Sequence, residues 1–112
     1  MSWYLTIRSD PQFSKSTPTP PLIDFLKGLP ELKQADPMRF EGGVGAPEVS
    51  VVVAACDERG NYSSPVTFQE RVNIIELTCS HAGDTDWYHA LAGKIAKFLG
   101  WKTHQDDDKT QM

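Results

Sequence analysis

The feature that most constrains the fold of this sequence is a pair of strand-like apolar segments separated by one loop. Residues 48–57 read EVSVVVAACD, and residues 71–79 read RVNIIELTC. The stretch between them, 58–69, contains a Gly-Asn pair and a proline, which are typical of a loop. Because successive strands usually lie side by side, these two segments predict an antiparallel pair joined by a long hairpin loop.

The first third of the chain adds a strand and a short helix to this pair. Residues 2–8 alternate between apolar and polar side chains, which predicts a strand with one face on a core. Thr19 followed by Pro20 predicts a helix start, with the threonine as N-cap and proline in the first turn. Gly28 and Pro30 end this helix, and residues 38–41 read as a brief strand.

The clearest helical pattern follows the second apolar strand. Apolar side chains recur every three or four positions and form one stripe, made of Trp87, Tyr88, Leu91, Ile95, Phe98 and Leu99. Asp84 opens this helix and Gly100 ends it, and we expect Tyr88 at the edge of the stripe. Residues 101–104 are expected to form a final edge strand.

This order of elements predicts an α+β fold. We expect an antiparallel sheet of four to five strands with two helices packed on one face, and a ferredoxin-like arrangement is one version of it. Residues 1–105 form a single domain in this interpretation. Residues 106–112 carry three successive aspartates and are expected to be an acidic, disordered tail.

Both faces of the predicted strand 48–57 are apolar or small, so two helices on one face leave the other face to be explained. One alternative is that loops 9–19 and 30–47 fold over the second face. The other is that a partner protein or a second copy of the chain buries it, because monomers rarely expose large apolar patches. A homodimer through the open sheet face is therefore one prediction.

Charge and targeting signals exclude several classes of protein. The chain has 11 Lys and Arg against 15 Asp and Glu, a formal net charge of −4, so a general binder of nucleic acid or anionic membrane is not expected. Residues 1–8 lack the basic and apolar regions of a signal peptide, and no apolar run approaches the roughly 20 residues of a membrane span. The two cysteines are then expected to be reduced thiols in a cytoplasmic protein.

The cysteines and histidines do not have the spacing of a metal site. Paired Cys-x2-4-Cys or His-x3-5-His motifs are absent from the set Cys56, Cys79, His81, His89 and His104. A nucleophile pair of Cys79 with His81 or His89 needs loop curvature to bring the groups together. The glycines at 42–45 precede a proline rather than a helix, so they predict a turn and not a phosphate loop. We therefore predict no metal and no cofactor.

Acidic residues cluster in sequence around the predicted hairpin. Exposed carboxylates of this kind are usually just solvated. The alternative is an acidic docking surface with polar and aromatic companions at the loop tip, made of Asp57, Glu58, Arg59, Asn61, Tyr62, Glu70 and Glu76. We predict that these residues bind the partner.

Three stretches of the chain together resemble known proteins: SWYLTIRSD at the start, DERGNY at residues 57–62, and DWY with FLGW in the region 86–101. They resemble small bacterial cytoplasmic immunity proteins that accompany polymorphic toxins. The resemblance implies a stoichiometric inhibitor that binds one toxin domain and occludes it. It carries over no catalytic residue.

The leading hypothesis is therefore a non-enzymatic immunity protein that binds a cognate toxin and neither nucleic acid nor membrane. An alternative is a small dimeric ferredoxin-like enzyme or ligand-binding domain with a pocket near Cys79 and His81. A third hypothesis is a subunit or chaperone whose open sheet face completes a larger assembly.

Overall fold

The computed structural model describes residues 2–62 and 68–107 of the 112-residue chain. The described residues form eight strands and two helices: β1 (Ser2–Arg8), β2 (Thr17–Pro18), α1 (Thr19–Lys27), β3 (Leu32–Asp36), β4 (Arg39–Gly42), β5 (Val49–Ala54), β6 (Arg71–Val72), β7 (Ile74–Ser80), α2 (Thr85–Leu99) and β8 (Lys102–Asp107).

Six strands form one sheet in the order β3-β4-β5-β7-β1-β8, with every neighbouring pair antiparallel. Strands β2 and β6 pair separately as a small two-stranded sheet. The predicted α+β class, the antiparallel sheet and the pairing of β5 with β7 are confirmed. The predicted count of four to five strands is wrong, because β3 and the short β2–β6 pair carry almost no apolar alternation that the sequence could reveal.

One face of the sheet carries the main core. In β1, Trp3 lies opposite Cys79, Leu5 opposite Leu77 and Ile7 opposite Ile75, and all six side chains are buried. The buried side chains of both helices join the same core, among them Leu22, Leu26, Tyr88, Leu91 and Ile95. Full burial of one such aliphatic side chain stabilises the fold by roughly 1.5–3 kcal/mol, which explains why the helices lie here.

Helix α1 begins differently from the prediction. Pro18 is the N-cap, and no side chain of the described residues caps the helix. Thr19 is instead fully buried as the first helical residue, and its Oγ1 has no hydrogen-bond partner within the described chain. The backbone N–H of Thr19 donates to the carbonyl oxygen of Glu70 at 2.9 Å. A tertiary hydrogen bond thus satisfies one of the backbone N–H groups that a helix start leaves without a partner.

Helix α2 begins and ends as predicted. The side chain of Asp84 accepts a hydrogen bond from Asp86 N at 3.0 Å, and Gly100 ends the helix at a left-handed φ of 70°. Two expectations for its apolar stripe are wrong. Tyr88 is fully buried rather than at the edge, because its hydroxyl donates to the carbonyl of Glu48, and Phe98 is exposed and stacks on Phe25 of α1.

The second face of the sheet is covered from within the chain at one end. Phe13, from loop 9–16, is buried against Ala54 and Ile74, and Val52 and Cys56 pack partly against the same cluster. The expectation that loop 9–19 covers this face is thus confirmed for this end. The same expectation for residues 30–47 is wrong, because that segment forms the β3–β4 hairpin and widens the sheet instead.

Strand β8 extends the edge of the sheet further than expected. Its last paired positions place Asp106 opposite Tyr4 and Asp107 opposite Trp3, within the segment that the sequence assigned to the tail. The rest of that predicted tail lies outside the described residues. Neither helix of the described chain is long and apolar enough to cross a membrane.

Candidate functional site

The turn after β5 is fixed by hydrogen bonds from one carboxylate. Asp57 Oδ1 accepts from the backbone N–H groups of Arg59 at 2.8 Å and Asn61 at 3.0 Å. These bonds hold the pKa of Asp57 below its usual value, and the bond from Asn61 has the larger effect. Gly60 completes the turn at a φ of 85°, and a Cβ there would lie 3.0 Å from the ring of Phe13. The turn is thus held by hydrogen bonds of its own and seated on the covered end of the sheet.

Tyr62 carries the chain from this turn back onto the sheet. Its hydroxyl donates to Glu76 Oε1 on β7 at 2.6 Å, and its ring packs against the cluster of Phe13, Ala54 and Ile74. Burial, followed by the hydrogen bond to Glu76 and the charge of that carboxylate, raises the pKa of Tyr62 above its ordinary value. Tyr62 and Glu76, both predicted from sequence, are therefore in direct contact.

The remaining predicted residues lie on the turn after β5 and just before β6. Glu58, Arg59 and Asn61 are exposed on the turn, and Glu70 is exposed just before β6. The side chain of Gln69 accepts a hydrogen bond from Ala55 N at 3.1 Å, which holds the segment at 68–70 beside the base of the turn. Residues 63–67, which complete the predicted loop, lie outside the described residues.

Asn73 is a positioning residue that the sequence did not single out. Its Oδ1 accepts from Cys56 N at 2.7 Å, and its Nδ2 donates to the carbonyl oxygens of Cys56 at 3.0 Å and Phe13 at 3.3 Å. One side chain thus joins three segments beneath the turn. A polar amide within an otherwise apolar strand segment was the available signal, because a half-buried amide needs partners.

A groove of about 540 Å³ lies at the other end of the second sheet face. Its lining is mostly polar and includes Ser2, Arg39, Glu41, Glu48, Ser50, Thr78 and Ser80. Arg39 is held between two carboxylates, with Nη2 3.1 Å from Asp36 Oδ2 and Nη1 3.1 Å from Glu41 Oε2. Because this part of the face is polar, little apolar area is available there to drive a homodimer.

The thiols do not have the environment of a nucleophile. Cys79 is buried in the helix-covered core, and burial raises the pKa of its thiol to about 12. Burial, and then the charge of Asp57, also raise the pKa of Cys56. His81 is exposed in the loop after β7, and His89 contacts the ring of Trp3. A thiolate at Cys79 is therefore disfavoured at neutral pH.

The cysteines, histidines and carboxylates within residues 2–62 and 68–107 do not form a group of three or more able to hold a metal ion. Comparison of the chain with known protein families, with curated proteins and with solved structures finds no match.

Proposed function

We propose that this chain is a non-enzymatic protein-binding module, an immunity protein that inhibits a cognate bacterial toxin domain in the cytoplasm by covering it. The proposed contact surface is called the turn surface here and consists of Asp57, Glu58, Arg59, Asn61, Tyr62, Glu70 and Glu76. The proposal needs no metal and no cofactor.

The observation that carries the proposal is that hydrogen bonds within the chain fix the turn that bears most of the turn surface. Asp57 fixes the backbone of the turn through two hydrogen bonds, and Tyr62 is tied to Glu76 across the sheet. Glu58 and Arg59 are exposed on this hydrogen-bonded turn. A surface that is already ordered loses less conformational entropy on binding, which favours tight association over an area of limited size.

The charge of the turn surface indicates what it would bind. Four carboxylates, those of Asp57, Glu58, Glu70 and Glu76, stand against the single guanidinium of Arg59. A basic patch on the partner would complement this surface, and such complementarity mainly raises the association rate and the selectivity. Tyr62, half-buried and amphipathic, has the character of an interface anchor.

Charge reversal tests this surface. We expect Glu58→Lys and Glu70→Lys each to weaken binding of the cognate partner by about tenfold or more, with the loss mainly in association rate. Asp24→Lys is the matched control, because Asp24 is also exposed but lies on α1. The partner is captured with the wild-type chain, purified, and measured against all three variants by surface plasmon resonance. Unchanged binding by both glutamate variants would remove the turn surface as the contact.

The inhibitory role is tested separately by growth. Expression of the captured partner domain alone is expected to arrest bacterial growth, and co-expression of the wild-type chain to restore it. A variant that loses binding should lose the rescue in proportion. A partner that is harmless on its own would contradict the immunity role and favour the hypothesis of an assembly subunit.

We also infer a ferredoxin-like arrangement for the central part of the fold. Omitting the β3–β4 hairpin and the β2–β6 pair leaves β1-α1-β5-β7-α2-β8, with the sheet order β8-β1-β7-β5. This is the order expected of a split β-α-β fold with an added edge hairpin. An experimental structure tests the inference, since both helical crossovers must be right-handed and lie on one face.

The homodimer through the second sheet face stays a prediction. Analytical ultracentrifugation of the full chain checks it, and a monomer at high concentration would contradict it.

A further inference from the structure

A second surface, on the helical side of the molecule, combines two stacked aromatic rings, one of them exposed, with lysines. It is called the helix patch here and consists of Phe25, Leu29, Lys94, Lys97 and Phe98. The rings of Phe25 and Phe98 stack with centroids 4.2 Å apart and an interplanar angle of 13°. Phe98 remains 45% exposed, and a shallow cleft of about 420 Å³ opens between these residues.

The helix patch is firmly supported from below. Phe25 and Leu29 are partly buried against the main core, so the exposed ring of Phe98 lies on an ordered apolar floor. Lys94 forms an ion pair with Glu31, which further ties α2 to the segment after α1. An aromatic side chain exposed over a preformed apolar cleft is typical of an interface anchor.

The positive charge of the lysines limits the kind of partner that the helix patch can bind. Lys97 is exposed and makes no ion pair with any described residue, while Lys94 is half-exposed beside its glutamate. A second copy docked by the same patch would face lysine with lysine, because an isologous interface joins identical surfaces. An anionic membrane is disfavoured as well, since the chain as a whole has a net charge of −4.

We propose that the helix patch binds an acidic amphipathic segment of a protein, with an aliphatic or aromatic side chain in the cleft and a carboxylate beside Lys97, since Lys94 is already paired with Glu31. This surface is distinct from the turn surface and does not depend on the function proposed for it. A contact of this size on its own would be weak, and it would act as a second docking point.

The test uses the full chain, labelled with ¹⁵N, and a pair of synthetic helical peptides as probes. One peptide carries leucine and phenylalanine on one face, flanked by glutamates, and the second replaces every glutamate with lysine. We expect the acidic peptide to bind, and the amide shifts to be confined to α2 and the end of α1. We expect the basic peptide to bind at least about tenfold more weakly.

Two variants in the patch and one outside it sharpen the result. Phe98→Ala and Lys97→Glu should each reduce affinity for the acidic peptide about tenfold, and Lys97→Glu should also gain affinity for the basic peptide. Lys33→Glu, at an exposed position of β3, is the matched control and should bind as the wild type does. Phe98→Leu keeps the test available should the alanine variant fold poorly.

Three results would overturn the proposal. They are equal binding of both peptides, shifts located on the turn surface, and a patch occupied by something else. A second copy in the patch would be shown by a dimer of the wild type that Phe98→Ala dissociates. A membrane in the patch would be shown if phosphatidylserine vesicles bind the wild type but not Lys97→Glu. Glu58→Lys alters the turn surface and should leave binding of the peptide to the helix patch unchanged. A failure of the helix-patch proposal can therefore be distinguished from a failure of the immunity proposal.

Discussion

Gly83 lies against the ring of Tyr88 at a position with no room for a side chain. A Cβ there would lie 2.7 Å from Tyr88 Cε2 and 2.8 Å from Cζ, and Tyr88 is fully buried. We expect Gly83→Ala to lower the free energy of unfolding by about 1–3 kcal/mol, because the ring would have to move within a packed core. Urea denaturation measures this change.

Gly93 provides the matched control for that substitution. A Cβ at Gly93, within α2, meets none of the described heavy atoms within 4 Å. Gly93→Ala should therefore raise the free energy of unfolding by about 0.5–1 kcal/mol, since alanine favours the helix. Similar effects of the two substitutions would contradict the packing at Gly83.

Tyr62 makes the free energy of unfolding depend on pH in the alkaline range. Its pKa is raised in the folded state, so the linked stabilisation is fully present below the ordinary tyrosine pKa of about 10. It is lost as the pH rises from there through the raised value. Tyr62→Phe should lower the free energy of unfolding by about 1 kcal/mol at neutral pH and flatten its decline above pH ~10. An unchanged alkaline decline in denaturation curves would contradict the burial of Tyr62 and its contact with Glu76.

At the scale of single elements, the N-terminus of α2 offers a clean test. Asp84 accepts the hydrogen bond from Asp86 N that caps the helix. Asp84→Ala should lower the free energy of unfolding by about 1 kcal/mol, whereas Asp84→Asn should stay close to the wild type, because asparagine caps equally well. Thermal melts by circular dichroism compare the two, and an equal loss in both would assign the effect to charge rather than to capping.

Elements with a strong internal pattern could be predicted from the sequence, and the others could not. Strand β5 is dense in valine, and α2 has an apolar stripe with a cap at each end, so both were found. Strand β3 has one buried residue, Leu32, followed by four exposed ones. Only its pairing with β4 makes it a strand, and such tertiary pairing leaves no periodicity to read.

The residues of the turn surface were chosen from the sequence, but the contacts between them could not be predicted from it. The sequence grouped Tyr62 with Glu76 because both lie near one hairpin, yet the hydrogen bond between them depends on how the loop folds back. The packing of Tyr62 against Phe13 could not be predicted from the sequence either. Phe13 lies far away in sequence and adopts a positive φ of 56°, which a bulky residue rarely does and which local preference does not favour.

At the scale of the whole molecule, the sheet order predicts how protection against hydrogen exchange is distributed. Strands β7 and β1 each have a neighbour on both sides, whereas β3 and β8 are edges. Amides of Leu5, Ile75 and Leu77, all fully buried, should exchange only on global unfolding. Amides of β3 should exchange much faster through local opening. Comparable exchange rates for β3 and β7 in NMR measurements would contradict this sheet order.

The first and last strands of the described chain lie side by side, and this arrangement bears on how the protein folds. Leu5 lies opposite Gln105, so pairing of β1 with β8 closes a loop of about 100 residues. Closing so long a loop is entropically unfavourable and slows folding. A circular permutant that joins residue 107 to residue 2 through residues 108–112, with new ends at the exposed Val44, would turn this pairing into a local hairpin. We expect the permutant to keep the same sheet and to refold faster than the wild type in stopped-flow measurements. An equal refolding rate would mean that β8 pairs with β1 only after the transition state of folding.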